Sequence, residues 1–460
     1  IWAVLGAGLA WLGLRRQRVW AHLWGFVVHG LAGLIFLYEA VDAAPTVGPL
    51  FTNYLYISTV ILSLAALTSA YLLQRSRPVW PRLAPLLSLV LLMVGLGWWF
   101  AGGFAEMFDK LASPYLLSGL LAFVALSCAA AEFIGGRLGW WALRTTILGL
   151  LPLATLITLQ QWLDGDYVLA GGGWIAWPLV FLVHLLMLRR WTTQRWVTLY
   201  HAGGVWLLTL LLTRLALWHV DQQQLGKTWQ AVTVLGVPTL ILWAIGPLQE
   251  RMPWPVAARP FAYAAVAAAP LALFLGLAAT LISLTLPGDS APLPYLPLLN
   301  GLDVAIVGLL AVLWAWWQQS RSNPALIAII GVSGWLLFAF TFFLVNAGVA
   351  RAVHHLAGVP FQFDALFAST TLQTTYAIFW SVLALVLMLT AHVRGQNGGW
   401  TAVWYGGAAL LGVTVLKLFL VDLAQTGTIA RIVSFISVGL LILVIAYFWP
   451  APPQKRVVEV

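Results

Sequence analysis

Apolar runs of about twenty residues follow one another along the whole chain, broken by short gaps that hold most of its charge. Each run is long enough to cross the hydrocarbon core of a bilayer as a helix, which takes roughly 20 residues. Within the runs Leu, Ala, Val, Gly and Trp succeed one another without strict alternation, so helices are predicted and not barrel strands. About fifteen spans emerge, at 1–14, 19–40, 53–74, 83–101, 114–135, 139–159, 172–189, 197–218, 228–247, 260–286, 302–319, 324–346, 366–392, 398–419 and 430–449. The predicted fold is all-α, a polytopic integral membrane helix bundle, with residues 1–460 read as a single transmembrane domain.

Composition sharpens that reading. The chain is 62% hydrophobic and 8% charged, with a mean hydropathy of +0.93, which excludes a soluble globule. Its net charge of +9 does not point to nucleic acid, because the bases are scattered singly through short gaps. Grouping the gaps alternately places 17 of the 23 Lys and Arg residues on one side, at 15–18, 75–82, 137–144, 189–195, 251–259, 321, 394 and 455–456. Of the 14 acids only Glu132, Glu250 and Glu459 share it. The positive-inside rule makes this side cytoplasmic, together with the C-terminus, in a bacterial inner membrane. Trp140, Trp141, Trp191, Trp196 and Trp254 flank the basic gaps, as an interfacial aromatic belt would. The single Cys128 lies in an apolar run and can form no intrachain disulfide. The chain opens at Ile1 inside an apolar segment, and is expected to be the C-terminal part of a longer polypeptide.

The outer gaps are longer and richer in Pro and Gly, and loops held on a scaffold commonly carry function. One of them, Pro287–Asp303, contains four prolines. The next holds Arg351, His354 and His355, whose i, i+3 and i+4 spacing sets them on one helix face. Asp364 follows a Gly-Val-Pro break, and Gln373 opens the next span. Imidazoles beside a guanidinium and a carboxylate suit acid–base work or the binding of an anionic head group, although an interfacial helix meeting water or phosphate has the same composition. Adjacent histidines lack the i, i+4 spacing of a helical metal pair, so neither a metal nor a cofactor is expected. Arg214 falls within a span, where an isolated cation is costly, and should face the bundle interior. His201, on a similar face, is a candidate to share a polar cavity with it. Lys417, Asp422 and Arg431 form a charge cluster around the last outer turn, with an Arg431–Asp422 contact as the predicted clasp. Walker, dinucleotide-binding, CxxC, HExxH and GxSxG patterns do not occur in the sequence.

The segments PLPYLPLLN (292–300), RAVHHLAGVPFQFDALFASTTLQ (351–373), KLFLVDL (417–423) and RIVSFISVGLLILVIAYFWP (431–450) resemble domain-of-unknown-function family 2339, large bacterial membrane proteins. WAVLGAGLAWLGLR (2–15) resembles a further family segment. Leu5 stands where the resemblance leads one to expect Glu, and Gly301 where it leads one to expect Pro, so no role is carried onto either. The resemblance implies an inner-membrane protein and no particular reaction.

Together these features lead to the expectation of a cell-envelope protein that binds or processes a lipid-linked or head-group-bearing substrate at the outer leaflet. Arg351, His354, His355, Asp364, Gln373, Arg214 and His201 are its candidate binding residues. The alternatives are a transporter or flippase with a mid-membrane site, and a structural subunit. Membrane lipids, a lipid-linked or glycan substrate and other membrane proteins are the partners to consider.

Overall fold

The computed structural model describes residues 1–41, 48–75, 82–192, 194, 196–321, 333–394, 400–418 and 436. Among these the chain is helical, without strands. In chain order the helices are α1 (Trp2–Arg16), α2 (Val19–Val41), α3 (Tyr54–Arg75), α4 (Ala84–Lys110), α5 (Ser113–Leu138), α6 (Trp141–Leu163), α7 (Gly173–Arg190), α8 (Val197–Gln222), α9 (Lys227–Ile245), α10 (Ala262–Thr285), α11 (Gly301–Ser320), α12 (Ser333–Ala357), α13 (Phe363–Ala368), α14 (Thr370–Arg394) and α15 (Trp400–Lys417). Among the described residues twelve helices, α2 to α12 and α14, are long and apolar enough to cross a membrane. The first and fourteenth expected spans are α1 and α15, which are not among these twelve, and the fifteenth, residue 436 apart, lies outside the described residues. The span expected at 324–346 is described as a helix over Ser333–Ala357. This carries the Arg351 segment on its last turns, where a separate interfacial helix had been the competing expectation.

In the twelve helices only 17 to 50% of each apolar window is buried inside the protein. The remaining apolar surface, including Leu34, Leu240 and Leu273, needs a hydrocarbon solvent. A bilayer supplies it, and helices are the open architecture that satisfies every backbone group there.

The chain divides into two compact units, residues 1–223 with 240–272, and residues 224–239 with 273–460. In the first, α1 and α2 form a hairpin whose backbones nearly touch. A Cβ on Gly13 would lie 2.6 Å from the His22 nitrogen, and one on Gly25 would lie 2.6 Å from the Ala10 nitrogen. Small residues at such crossings gain dispersion contact that larger ones would prevent, and this replaces the hydrophobic driving force that is missing between helices in lipid. A core of Leu121, Val124, Cys128, Ile147, Trp177 and Val180 joins α5, α6 and α7. Glu132, 1% exposed, receives Arg144 in a fork of three hydrogen bonds, the shortest 2.7 Å.

In the second unit Ala350, Val353 and Leu372 form a small core, with Val359, Phe361, Leu366 and Tyr376 against it. The Tyr376 hydroxyl donates to the Asn346 carbonyl at 3.1 Å, and Trp380 Nε1 donates to Asn346 Oδ1 at 2.7 Å, tying α14 to α12. Gly407 of α15 packs against α14, where its Cβ would meet the Ala384 carbonyl at 2.9 Å.

Every cation–π contact among the described residues involves a base from the basic gaps. Arg137 lies over Phe133, Arg144 over Trp191, Arg189 over Trp254 and Arg321 over Trp317, at 4.5 to 4.8 Å. Such stacking suits guanidinium groups whose stems lie along apolar helix ends while their heads reach water.

Candidate functional site

The loop between α10 and α11 and the C-terminal turns of α12 build one cluster in the second unit. Its foundation is a helix cap. Asn300, extended at φ −72° and ψ 156°, accepts the Asp303 N–H on its Oδ1 at 2.9 Å. Its Nδ2 donates back to Asp303 Oδ2 at 2.6 Å. This reciprocal pair satisfies one orphan N–H at the start of α11, that of Asp303, and places an acid where the helix dipole favours it. Gly301 follows the cap with Trp229 beside it, 3.3 Å from where a Cβ would stand.

Arg351 comes to this carboxylate from α12. Its Nε and Nη2 both donate to Asp303 Oδ1, at 3.1 and 2.8 Å. Asp303 Oδ2 also accepts the Leu298 N–H at 3.2 Å. The pair is closed off from solvent, with side-chain exposures of 1% for Arg351 and 6% for Asp303. Gly288, at φ +84°, covers the arginine stem, and a Cβ there would lie 3.0 Å from Arg351 Cδ. A residue with a side chain would be strained at this φ as well as crowded. Two donors in the cluster nevertheless lack a hydrogen-bond partner among the described residues, Arg351 Nη1 and the Tyr295 hydroxyl.

The two histidines occupy the rim. His355 stacks on Tyr295 with ring centres 3.8 Å apart and planes 20° apart. Its Nε2 lies 3.0 Å from the Pro287 carbonyl and 3.8 Å from Asp289 Oδ1. His354 Nδ1 lies 2.6 Å from the Val359 carbonyl, and its ring centre is 4.7 Å from that of His355. Burial, then the Asp303 carboxylate, push the Tyr295 hydroxyl up to about 12, with Arg351 opposing. The phenol is therefore a donor throughout the physiological range.

Of the residues singled out from sequence, Arg351, His354 and His355 are brought together here. The contacts of Gln373 run elsewhere. Its Nε2 donates to the Phe367 carbonyl at 3.0 Å, and its own carbonyl accepts Lys417 Nζ at 2.9 Å. Asp364 is exposed in the first turn of α13. Arg214 and His201 belong to the first unit. Arg214, 4% exposed, donates from Nη2 to the Asp166 carbonyl at 2.9 Å. His201 Nδ1 is 2.9 Å from the Tyr263 hydroxyl. Thirteen residues of helix separate the two, about 20 Å of rise, and their hydrogen bonds go to different partners. Asp422 and Arg431, and with them the expected clasp, lie outside the described residues.

Sequence reasoning missed Asp303, Asn300, Tyr295 and Asp289 as members of the cluster. Asn300 and Asp303 were within reach, since an Asn three residues before an acid at the head of an apolar run is a capping pattern. Tyr295 and Asp289 carry no such signal in a proline-rich loop.

No curated protein and no solved structure matches this chain. Residues 1–452 match the family described as predicted membrane protein (DUF2339), so the correspondence spans the middle of the chain as well as the segments that first pointed to it. The chain thus belongs to the DUF2339 family of membrane proteins.

Proposed function

We propose that this protein sits in the bacterial inner membrane with its C-terminus in the cytoplasm, and binds the anionic head group of a lipid or lipid-linked substrate at the outer leaflet. The observation that carries this reading is a pair of buried donors without a partner among the described residues, Arg351 Nη1 and the Tyr295 hydroxyl, in one cluster at a helix end. Leaving a buried donor unmade costs about 1–3 kcal/mol, and more for a charged group. A phosphate or carboxylate oxygen removes that cost, and a guanidinium already anchored by Asp303 loses little freedom in binding one. Asp364 and Gln373, at the neighbouring turn, are proposed to meet the rest of the head group. Arg214 is proposed as a separate anion contact in the first unit.

The test uses purified protein and two short-chain lipids, phosphatidylglycerol and phosphatidylcholine, with thermal stabilisation as the readout. Phosphatidylglycerol should stabilise the protein and phosphatidylcholine should not. Tyr295→Phe keeps the stack on His355 but removes one donor, and should weaken the effect about tenfold. Equal responses to both lipids, unchanged in the variant, would overturn the reading.

Transport is the second reading, and it draws on the first unit. His184 and His201 are buried within spans, the first with its ring tilted against Tyr200 and the second bonded to Tyr263. Ionisable groups at such depth commonly line ion or substrate paths.

A further inference from the structure

We infer that Asp289, His354 and His355 form a binding site for a divalent transition metal of the zinc type. One ligand atom from each residue lies within 4.8 Å of the other two. The three come from separate parts of the chain, the acid from the proline-rich loop and the histidines from the end of α12, so sequence spacing alone disguises the set. Two imidazoles and one carboxylate with an open side is the donor set of many zinc sites, which leave a fourth position for water or substrate. Softer metals would need thiolates, and magnesium or calcium would need more oxygens.

The surroundings are those a metal ligand needs. A carbonyl can only accept, so the short contact from His354 Nδ1 to Val359 assigns the proton to Nδ1 and leaves Nε2 with its lone pair. With Nε2 taken as the ligand atom, this backbone bond to the other ring nitrogen is the usual arrangement that orients a ligating histidine. His355 is held in plane by Tyr295, and its Nε2 faces Asp289 Oδ1 at 3.8 Å. With metal–ligand bonds of about 2.0–2.1 Å, two ligands of one tetrahedral ion stand roughly 3.4 Å apart. That contact is therefore near its bound length already. To take the ion, His355 shifts its ring proton from Nε2, where it is donated to the Pro287 carbonyl, to Nδ1, and Nε2 then turns its lone pair to the metal. The helix supplying the histidines is tied to the start of α11, which follows the loop supplying the acid, by Arg351 and Asp303. Asp289 itself is 70% exposed, which gives an ion a route in.

The experiment titrates Co2+ into the full chain, purified in detergent through a tag without histidines, and follows visible absorption. A saturable d–d band at one ion per chain, displaced by Zn2+, is expected. His354→Ala and Asp289→Asn should each weaken binding about tenfold or more, since even second-shell losses cost 10–100-fold. Asp289→Asn alters only an exposed side chain, so it decides the matter should His354→Ala fail to fold. Absence of a saturable band, or equal affinity in wild type and Asp289→Asn, overturns the site. The readout does not depend on lipid binding, so this inference and the head-group reading can fail separately.

Discussion

Arg351 and Asp303, forty-eight residues apart, form a buried ion pair in which both Nε and Nη2 of the arginine reach the same carboxylate oxygen. The other oxygen is taken by Asn300 and the Leu298 N–H. The carboxylate is thus fully satisfied, while among the described residues the guanidinium keeps one nitrogen without a partner. That asymmetry separates a pair built only for stability from one that can also serve a ligand.

Breaking the pair from one side should be costly. Asp303→Asn or Arg351→Gln leaves an uncompensated buried charge and should lower stability by about 3–5 kcal/mol. The double variant Asp303→Leu with Arg351→Met removes both charges and should lose much less. Unfolding in detergent, arranged as a double-mutant cycle, measures the coupling. Strictly additive single effects would mean that the two side chains act independently.

Alkaline stability should report on Tyr295. Its folded pKa is raised to about 12, against about 10 in an unfolded chain. Between these values the unfolded chain gives up the proton first, so the folded state binds more protons and stability falls as pH rises. The contribution is complete below pH of about 10 and is lost through about 12. Every tyrosine of the unfolded chain loses its proton at a pH of about 10, so the informative quantity is the difference between wild type and Tyr295→Phe. A difference that stays constant across this window would contradict the buried environment assigned to the phenol.

Orientation is open to cysteine labelling. The native Cys128 is fully buried and should give no background. Cysteines placed at Asp289 and Asp364, both exposed, should react with an impermeant maleimide from outside intact cells. One placed at Arg321 should react only after the cells are opened. The reverse pattern would turn the protein over and move the proposed working face to the cytoplasm.

The membrane class, the number and approximate limits of most spans, and the alternation of basic gaps are determined by the sequence itself. Each depends on a local quantity, either twenty residues of hydropathy or the charge of one short gap. The helix face shared by Arg351, His354 and His355 is equally local, because 3.6 residues per turn puts them there. The separation of His201 from Arg214 follows from the same rise per residue. Only the tertiary structure decided that Arg351 meets Asp303, that Tyr295 lies flat on His355, and that Asp289 closes on both histidines. Each joins the α10–α11 loop, or the first turn of α11 after it, to the end of a helix almost fifty residues or more away. Which loop folds over which helix end is set by packing between helices, and in lipid that packing depends on shape and small residues and not on hydropathy. Hydropathy marks where each helix lies in the chain, but it leaves open which neighbour its polar end will find.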